Sequence, residues 1–568
     1  MLDRRGLLKA IAATGIGSVL FQRSAAAAMV AADDVGVEAI KQAEWISGLE
    51  LTEEQREDIV STINSTTKRL EAVREMKLSA DTPMAIHFAP TSDMPKNDFV
   101  NREAEPINAI VNPLPTTEEE IAFLPVHKLS WLLRSQKITS LELTRIYLKR
   151  LKKFGPMLRC VVTLTEELAL ERAAEMDKEI SAGIYRGPLH GVPWGAKDLI
   201  SVEGYPTSWG IPHHKDRELE QSATVAKRLE EAGAIVCAKL SLGALAQGDK
   251  WFGGMTRSPW NPNIGSSGSS AGSASAVVGG LVAFTLGSET LGSIVSPSIR
   301  CGASSLRPTF GRVSRAGCMP LSWSLDKIGP ICRSVEDCAL VFDAIHGSDG
   351  RDPTAGNYDF QWPTQQDLNG LRVGYTTGGR QPPKDEREEL KLLEELGCQL
   401  VEVKLPSVQS FLPLITIIDI EAASVFDGLL RAGHTEGWNT WDEDFRAAQF
   451  VSAVDYVSVQ RARTVLIAEY NEAIKDVDLL VDANDLIHSN FTGHPQVVLP
   501  VGYRERNGGK TPRPILFTGK LNDDERLMAI VNKFQQKQTA HEEHPNLEEW
   551  LAKFEAGEIS DEPDQRAQ

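Results

Sequence analysis

An α/β fold is what the sequence predicts, and three observations predict it. From about Gly187, short apolar strand candidates alternate with helix candidates: "GVPWGAKDLI", then "SATVAKRLEEAG", then "AIVCAKL". The same rhythm resumes with "LRVGYTT" and "EREELKLLEELG", and two more strand candidates, "PQVVLPVGY" and "RPILFTGK", close the series. The composition is that of a folded globular chain: 42% of the 568 residues are hydrophobic and 24% charged, which argues against disordered and fibrous classes.

Taken in order, residues 1–31 read as an address rather than a fold. Arg4 and Arg5 in "DRRGLLKA" precede the modest apolar run "IAATGIGSVLF", and the small residues of "SAAAAM" fit an A-x-A cleavage site. That pattern resembles a bacterial twin-arginine export signal, so the expected destination is the periplasm, with no stable membrane insertion once the signal is removed. No other segment offers the 18 or so consecutive apolar residues of a membrane span. Residues 32–125 read as a helical and irregular extension, in which Thr52 and Gln55 form a capping-box pattern ahead of "REDIVSTINSTTKRLEAV". A second box, Thr139 to Glu142, opens "LELTRIYLKRLKKF", and "ELALERAAEMDKEI" is the next helix. The main domain is expected over 126–540. Its least patterned part, about 346–480, is assigned to substrate shaping, and 541–568 is a polar, acidic tail.

Charge and residue counts remove several function classes. A formal net charge of −18 repels phosphate backbones, so nucleic acid is not an expected partner. The seven cysteines, Cys160, Cys237, Cys301, Cys318, Cys332, Cys338 and Cys398, are odd in number and contain no C-x-x-C pair, which predicts neither a disulfide framework nor a zinc site. "HEEH" near the C-terminus has the wrong spacing for a metalloprotease helix, and "GGKT" at 508–511 has Arg504 where a P-loop needs its first glycine. Neither a metal nor a cofactor is expected.

The stretch "NIGSSGSSAGSASAVVGG" has the Ser/Gly composition of a linker, yet it runs directly into "LVAFTLGSETLGSIVSP", which must be buried. Within it, "GSSAG" (268–272) matches the G-x-S-x-G nucleophile elbow with Ser270 at its centre. An elbow needs an apolar strand directly before it, and "NPNIGSS" is polar and turn-forming, so that reading is set aside. Three elements in fixed order remain: a lysine in "WGAKDLI", the loop "GSSGSSAGSA", and a third serine in "GSETLGSIVSP".

With "RGPLHGVPWGAKDLISVEGYPTSWG", "LRPTFGRVSRAG" and "LDKIGPICRSVEDCALVFDAI", these elements resemble the amidase signature family, closely over 126–345 and loosely near 495–520. The resemblance implies an α/β/α sandwich around a large mixed sheet with a helical N-terminal lead-in. It also implies cleavage of a carboxamide through a serine acyl-enzyme, by a nucleophile, a second serine in a cis peptide bond, and a lysine base. The lysine is Lys197. The tandem "GSSGSS" offers Ser266 or Ser269 as the middle serine; "AGSA" aligns only with Ser269, which lies 24 residues before the nucleophile, Ser293. The backbone N–H groups of Thr290, Leu291, Gly292 and Ser293 are the expected oxyanion donors. Leu291 stands where many relatives have glycine, narrowing the pocket, and Val295 stands where many have arginine, which weakens the case for a carboxylate-bearing substrate. The expected partner is a small-molecule or peptide amide, and a homodimer is admitted. Two alternatives carry other predictions: the glutaminase component of a tRNA-dependent amidotransferase, and a catalytically silent binding protein on the same fold.

Overall fold

The computed structural model describes residues 35–78, 82, 85–86, 110–362, 366–377, 383–482, 485–506 and 508–559. The segment 1–31, where an export signal is expected, lies outside them. The chain forms two compact units, one from the residues up to His87 with Ser407–Ala468, the other from Phe88–Pro406 with Glu469–Gln568.

The first unit is helical. Its helix Glu53–Glu75 starts at Thr52, whose side chain and that of Gln55 cap each other's backbone N–H as the capping box predicts. Ile40, Leu51, Ile59 and Ile63 form its small core with Ala447. The stretch Val408–Arg431 is long and apolar enough to cross a membrane, although Asp419 and Glu421 interrupt it and leave no unbroken apolar run. Half of it is buried inside the protein. The carboxylates of Asp419 and Glu421 have partners in the same unit: Arg69 pairs with Asp419 at 2.9 Å, and the Tyr456 hydroxyl donates to Glu421 at 2.8 Å.

The second unit holds every strand among the described residues. In chain order these are β1 (Val161–Leu164), β2 (Pro193–Lys197), β3 (Ile235–Leu240), β4 (Lys250–Trp251), β5 (Gly254–Met255), β6 (Arg257–Ser258), β7 (Asn261–Gly265), β8 (Phe284–Glu289), β9 (Ser304–Arg307), β10 (Lys327–Cys332), β11 (Arg372–Tyr375), β12 (Gln399–Glu402), β13 (Leu479–Val481), β14 (Gln496–Arg506) and β15 (Gly509–Thr518). Eleven of them make one sheet in the order β1-β3-β2-β8-β10-β9-β14-β15-β13-β11-β12. The sheet is mixed: β2 runs parallel to β3 and β8, and β11 parallel to β12 and β13, while β8–β10, β10–β9, β9–β14 and β14–β15 are antiparallel.

Every residue of β2 and β10 is buried, as expected of central strands covered on both faces. Helices Ala271–Val278 and Val335–Ile345 pack on the central strands, and Ser140–Leu158 and Glu166–Ser181 lie against β3. The Ser140–Leu158 helix begins with the predicted Thr139/Glu142 box. The acidic stretch after His541 contains a helix, Leu547–Glu555, with an apolar stripe of Leu547, Trp550, Leu551 and Phe554 that packs on the main core. Those four recur at helical spacing, and charged neighbours mask them in an average over the segment. All seven cysteines are free thiols.

Candidate active site

Ligand sites in such sheets form at the carboxyl ends of parallel strands, and two chain segments meet there. β2 ends at Lys197, and its parallel neighbour β8 ends with Ser288 and Glu289. The Lys197 side chain is fully buried. Its Nζ lies 2.8 Å from Ser269 Oγ, 3.0 Å from both Ser270 Oγ and Ser288 Oγ, and 3.2 Å from the Ser288 carbonyl oxygen. Among the described residues no carboxylate bonds to it. Burial lowers its ammonium to about 7, against the opposing pull of Asp326 and Glu289. A second buried lysine, Lys239, is different: it pairs with Asp198 at 2.6 Å. Lys197 is thus a buried amine among hydroxyls, and Lys239 half of an ion pair.

The Ser/Gly stretch supplies the hydroxyls. After β7 the chain is pinned by Ser266 N–H donating to Thr256 O at 2.9 Å and Ser267 N–H donating to Asp249 Oδ2 at 2.9 Å. The peptide bond between Gly268 and Ser269 is cis. Gly268 admits no side chain, because a Cβ would sit 1.8 Å from the Gly248 carbonyl oxygen. Ser270 then starts helix Ala271–Val278. Its hydroxyl lies against Lys197, donates to Ser288 O at 3.2 Å and accepts from Ser288 N–H at 3.2 Å. With its proton and lone pairs so engaged, Ser270 is a brace between the helix start and β8, which is why the elbow spelling "GSSAG" carries no elbow geometry. Ser266 is a loop residue whose hydroxyl donates to Ser267 O at 2.9 Å.

Ser293 lies beside this loop, its carbonyl accepting from Ser270 N–H at 3.0 Å. Of Ser269, Ser270 and Ser293 it is the most accessible, 9% exposed against 1% and 0%. Gly292 before it has φ +88°, a left-handed conformation that costs glycine little. Among the described residues the backbone N–H groups of Thr290, Leu291, Gly292 and Ser293 have no hydrogen-bond acceptor. The next two do: Ile294 and Val295 donate to one oxygen of the buried Glu289 carboxylate at 2.8 and 2.9 Å. Its other oxygen accepts from Arg307 at 2.9 Å and from Asn490 Nδ2 at 2.8 Å. Burial alone raises this carboxyl, but Arg307, Lys327 and the Val295 N–H outweigh it and bring it down to about 2.

Lys197 and Ser269 therefore meet directly, and Ser293 joins them through the main chain of Ser270. Leu291 is partly buried and Val295 buried. Sequence reasoning passed over Ser288, Glu289, Asp326, Arg307 and Asn490. Glu289 had a signal, an acidic residue inside an apolar run next to the third serine; Asn490 had none, because it comes from a helix, Leu486–Thr492, far along the chain. Asp326 accepts from Thr290 Oγ1 at 2.6 Å and from the Leu321 and Ser322 N–H groups at 2.7 and 3.0 Å.

Comparison with known proteins gives the family and the fold. The family model named Amidase matches residues 142–484. The chain is 31% identical over 487 residues to the A-type subunit of the glutamyl-tRNA(Gln) amidotransferase of Chloroflexus aurantiacus, covering 75% of this chain and 99% of that one. The structure superposes on the native peptide amidase from Stenotrophomonas maltophilia with a TM-score of 0.67 at 28% identity, over 74% of this chain and 98% of that one. An amidase family protein from Bacillus anthracis shares the fold, with a TM-score of 0.66 at 24% identity over 75% of this chain and 93% of that one. By the match across more than half its length and by its fold, the chain belongs to the amidase family, enzymes that hydrolyse carboxamide C–N bonds.

Proposed function

We propose that the protein is an exported amidase that works through a serine acyl-enzyme, with Ser293 as nucleophile, Ser269 as proton relay and Lys197 as base. The observation that carries this reading is the buried Lys197 amine, 2.8 Å from Ser269 Oγ and lacking a bonded carboxylate. At a value of about 7 it is largely neutral above neutrality and able to take a proton. Ser269 passes its proton to Lys197 and receives one from Ser293, whose Oγ attacks the carbonyl carbon. The oxyanion is met by N–H groups of the 290–293 segment, each such donor being worth about 3 kcal/mol at the barrier. As the tetrahedral adduct collapses, the C–N bond breaks and the relay returns a proton to the leaving nitrogen. Water then enters by the same relay and releases the acid. Export is supported by Arg4 and Arg5 ahead of the apolar run, and is tested by fractionating cells that express the Arg4→Lys/Arg5→Lys variant.

The test of the chemistry is peptide mapping by mass spectrometry after treatment with a small alkyl fluorophosphonate. A label on Ser293, lost in Ser293→Ala and slowed at least ~100-fold in Lys197→Ala, is the expected result. A label on Ser270, or none on folded protein, overturns the assignment; the latter is the outcome a silent binding protein gives.

A second reading, the glutaminase component of an amidotransferase, is favoured by the 31% identity to a protein of that kind. The export address and the net charge of −18 weigh against it, since a tRNA-dependent complex must meet a polyanion in the cytoplasm. Amide hydrolysis by the isolated chain, with glutamine a poor substrate, is the outcome that separates them.

A further inference from the structure

We infer that the substrate presents an uncharged, apolar acyl group, aromatic or branched, to the cavity beside Thr290. This rests on the serine-amidase reading above and adds a substrate class to it. The cavity has a volume of about 470 Å³, within the range of small-molecule sites, about 300–1,000 Å³. Ser288 and Thr290 belong to its lining, so it adjoins the Lys197 cluster and the start of the 290–293 segment. Leu199, Met319, Pro320, Leu321, Trp323 and Ile328 give it an apolar wall. Neither Ser269 nor Ser293 lines it, so the cavity adjoins the reacting groups and does not contain them. In the relay proposed above the leaving nitrogen faces Ser269, and the acyl group is then the part of the substrate directed past Thr290 into this cavity.

Three of the four charged groups of the lining, Arg315, Asp326 and Asp352, are already spent on the protein. Arg315 donates to Asp352 Oδ2 at 2.8 Å, to Asp352 Oδ1 at 3.0 Å, to Thr354 Oγ1 at 2.8 Å and to the Trp323 carbonyl at 2.7 Å. Asp326 takes the three donors described above, and burial pushes the Cys318 thiol up to about 12, so it stays neutral. The remaining cation, Arg351, is exposed to water, where an ion pair gains little. A carboxylate or ammonium close to the scissile carbonyl would lose its water here and find no buried partner left free. The same contacts fix the wall: Arg315 holds the Trp323 carbonyl and Asp326 holds the Leu321 and Ser322 amides. The Trp323 backbone is thereby fixed, and the residue lines the cavity while 49% exposed.

The experiment compares primary amides sharing ammonia as leaving group, so that only the acyl part varies: acetamide, 4-methylpentanamide, phenylacetamide, succinamate and glutamine. Expected is a kcat/KM for phenylacetamide or 4-methylpentanamide at least ~100-fold above succinamate and glutamine. Trp323→Ala is expected to narrow the phenylacetamide-over-acetamide ratio ~10-fold, chiefly through KM. Equal or better turnover of the two charged amides, or an unchanged ratio in Trp323→Ala, overturns the inference. A methyl-sized fluorophosphonate makes the failures distinguishable. If Ser293 is labelled while charged amides are preferred, only the acyl-group inference falls; if folded protein takes no label, the serine reading falls and takes this one with it.

Discussion

Lys197 and Lys239 sit on adjacent strands, both buried, and only Lys239 has a carboxylate partner. The consequence is a testable conflict between stability and chemistry. A lysine held at about 7 in the fold and near 10.4 in the unfolded chain binds fewer protons when folded between those values. Its contribution to stability therefore rises with pH from about 7 to 10.4, and below 7 the full deficit applies, of the order of a few kcal/mol. Lys197→Met should accordingly raise the melting temperature at pH 6, with the advantage shrinking towards pH 10, while lowering kcat/KM at least ~1,000-fold. For the unaltered enzyme, kcat/KM should climb with pH through about 7 as the amine loses its proton. A pH–rate profile flat from 6 to 9 would speak against Lys197 as the base. The sequence spelled out much of this residue's setting, since "VPWGA" and "LI" flank it with apolar side chains. What it did not reveal is that a second serine of the loop, Ser270, and Ser288 from β8 share the amine. Those contacts depend on the strand register of β2 against β8, which no local pattern encodes.

The segment from Glu289 to Val295 works as an element, held by one carboxylate. Glu289 ties down the two amides just past Ser293, so the four preceding amides are left with no internal acceptor among the described residues. Asn490 reaches the same carboxylate from the helix Leu486–Thr492. It lies beyond the 142–484 match, so it is a positioning residue found by geometry alone. Asn490→Leu should remove a hydrogen bond to a charged group worth about 1.5–3 kcal/mol, and Asn490→Asp should set a second negative charge against Glu289. Both are expected to lower kcat about 10-fold or more with KM within about 2-fold, read from steady-state kinetics. A change in KM alone would mean that Asn490 shapes binding and not the 290–293 segment. Element identity was well foreshadowed here: both capping boxes, the β2 and β3 strands and the two late strands lie where the sequence puts them. Helix Leu547–Glu555 was hidden because its four apolar side chains are diluted by acidic neighbours.

At the scale of the molecule, the buried charges set the acid limit. Glu289 is held at about 2 in the fold, below its ordinary value near 4.3. Its stabilisation is complete above about 4.3 and is lost as pH falls through 2. Glu289→Gln should flatten that part of the acid-unfolding curve and, by stranding Arg307, cost about 3–5 kcal/mol at pH 7, measured by denaturant titration. An unchanged acid transition would show that other carboxylates dominate it. The α/β class and the mixed sheet were legible from alternation and from the family motifs. The division into two units was not, because the first unit joins the N-terminal helices to Ser407–Ala468, and contacts between segments so far apart leave no mark on either one alone.

The seven free thiols carry a practical consequence. Burial pushes Cys160 and Cys318 up to about 12 and Cys398 to about 11, so thiol-directed reagents at neutral pH should find almost nothing to attack. The protein is in effect a blank background for a thiol-directed reporter: a dye on Trp323→Cys would be its sole extrinsic fluorophore, sitting beside the cavity at Thr290 and brightening or dimming as each amide enters.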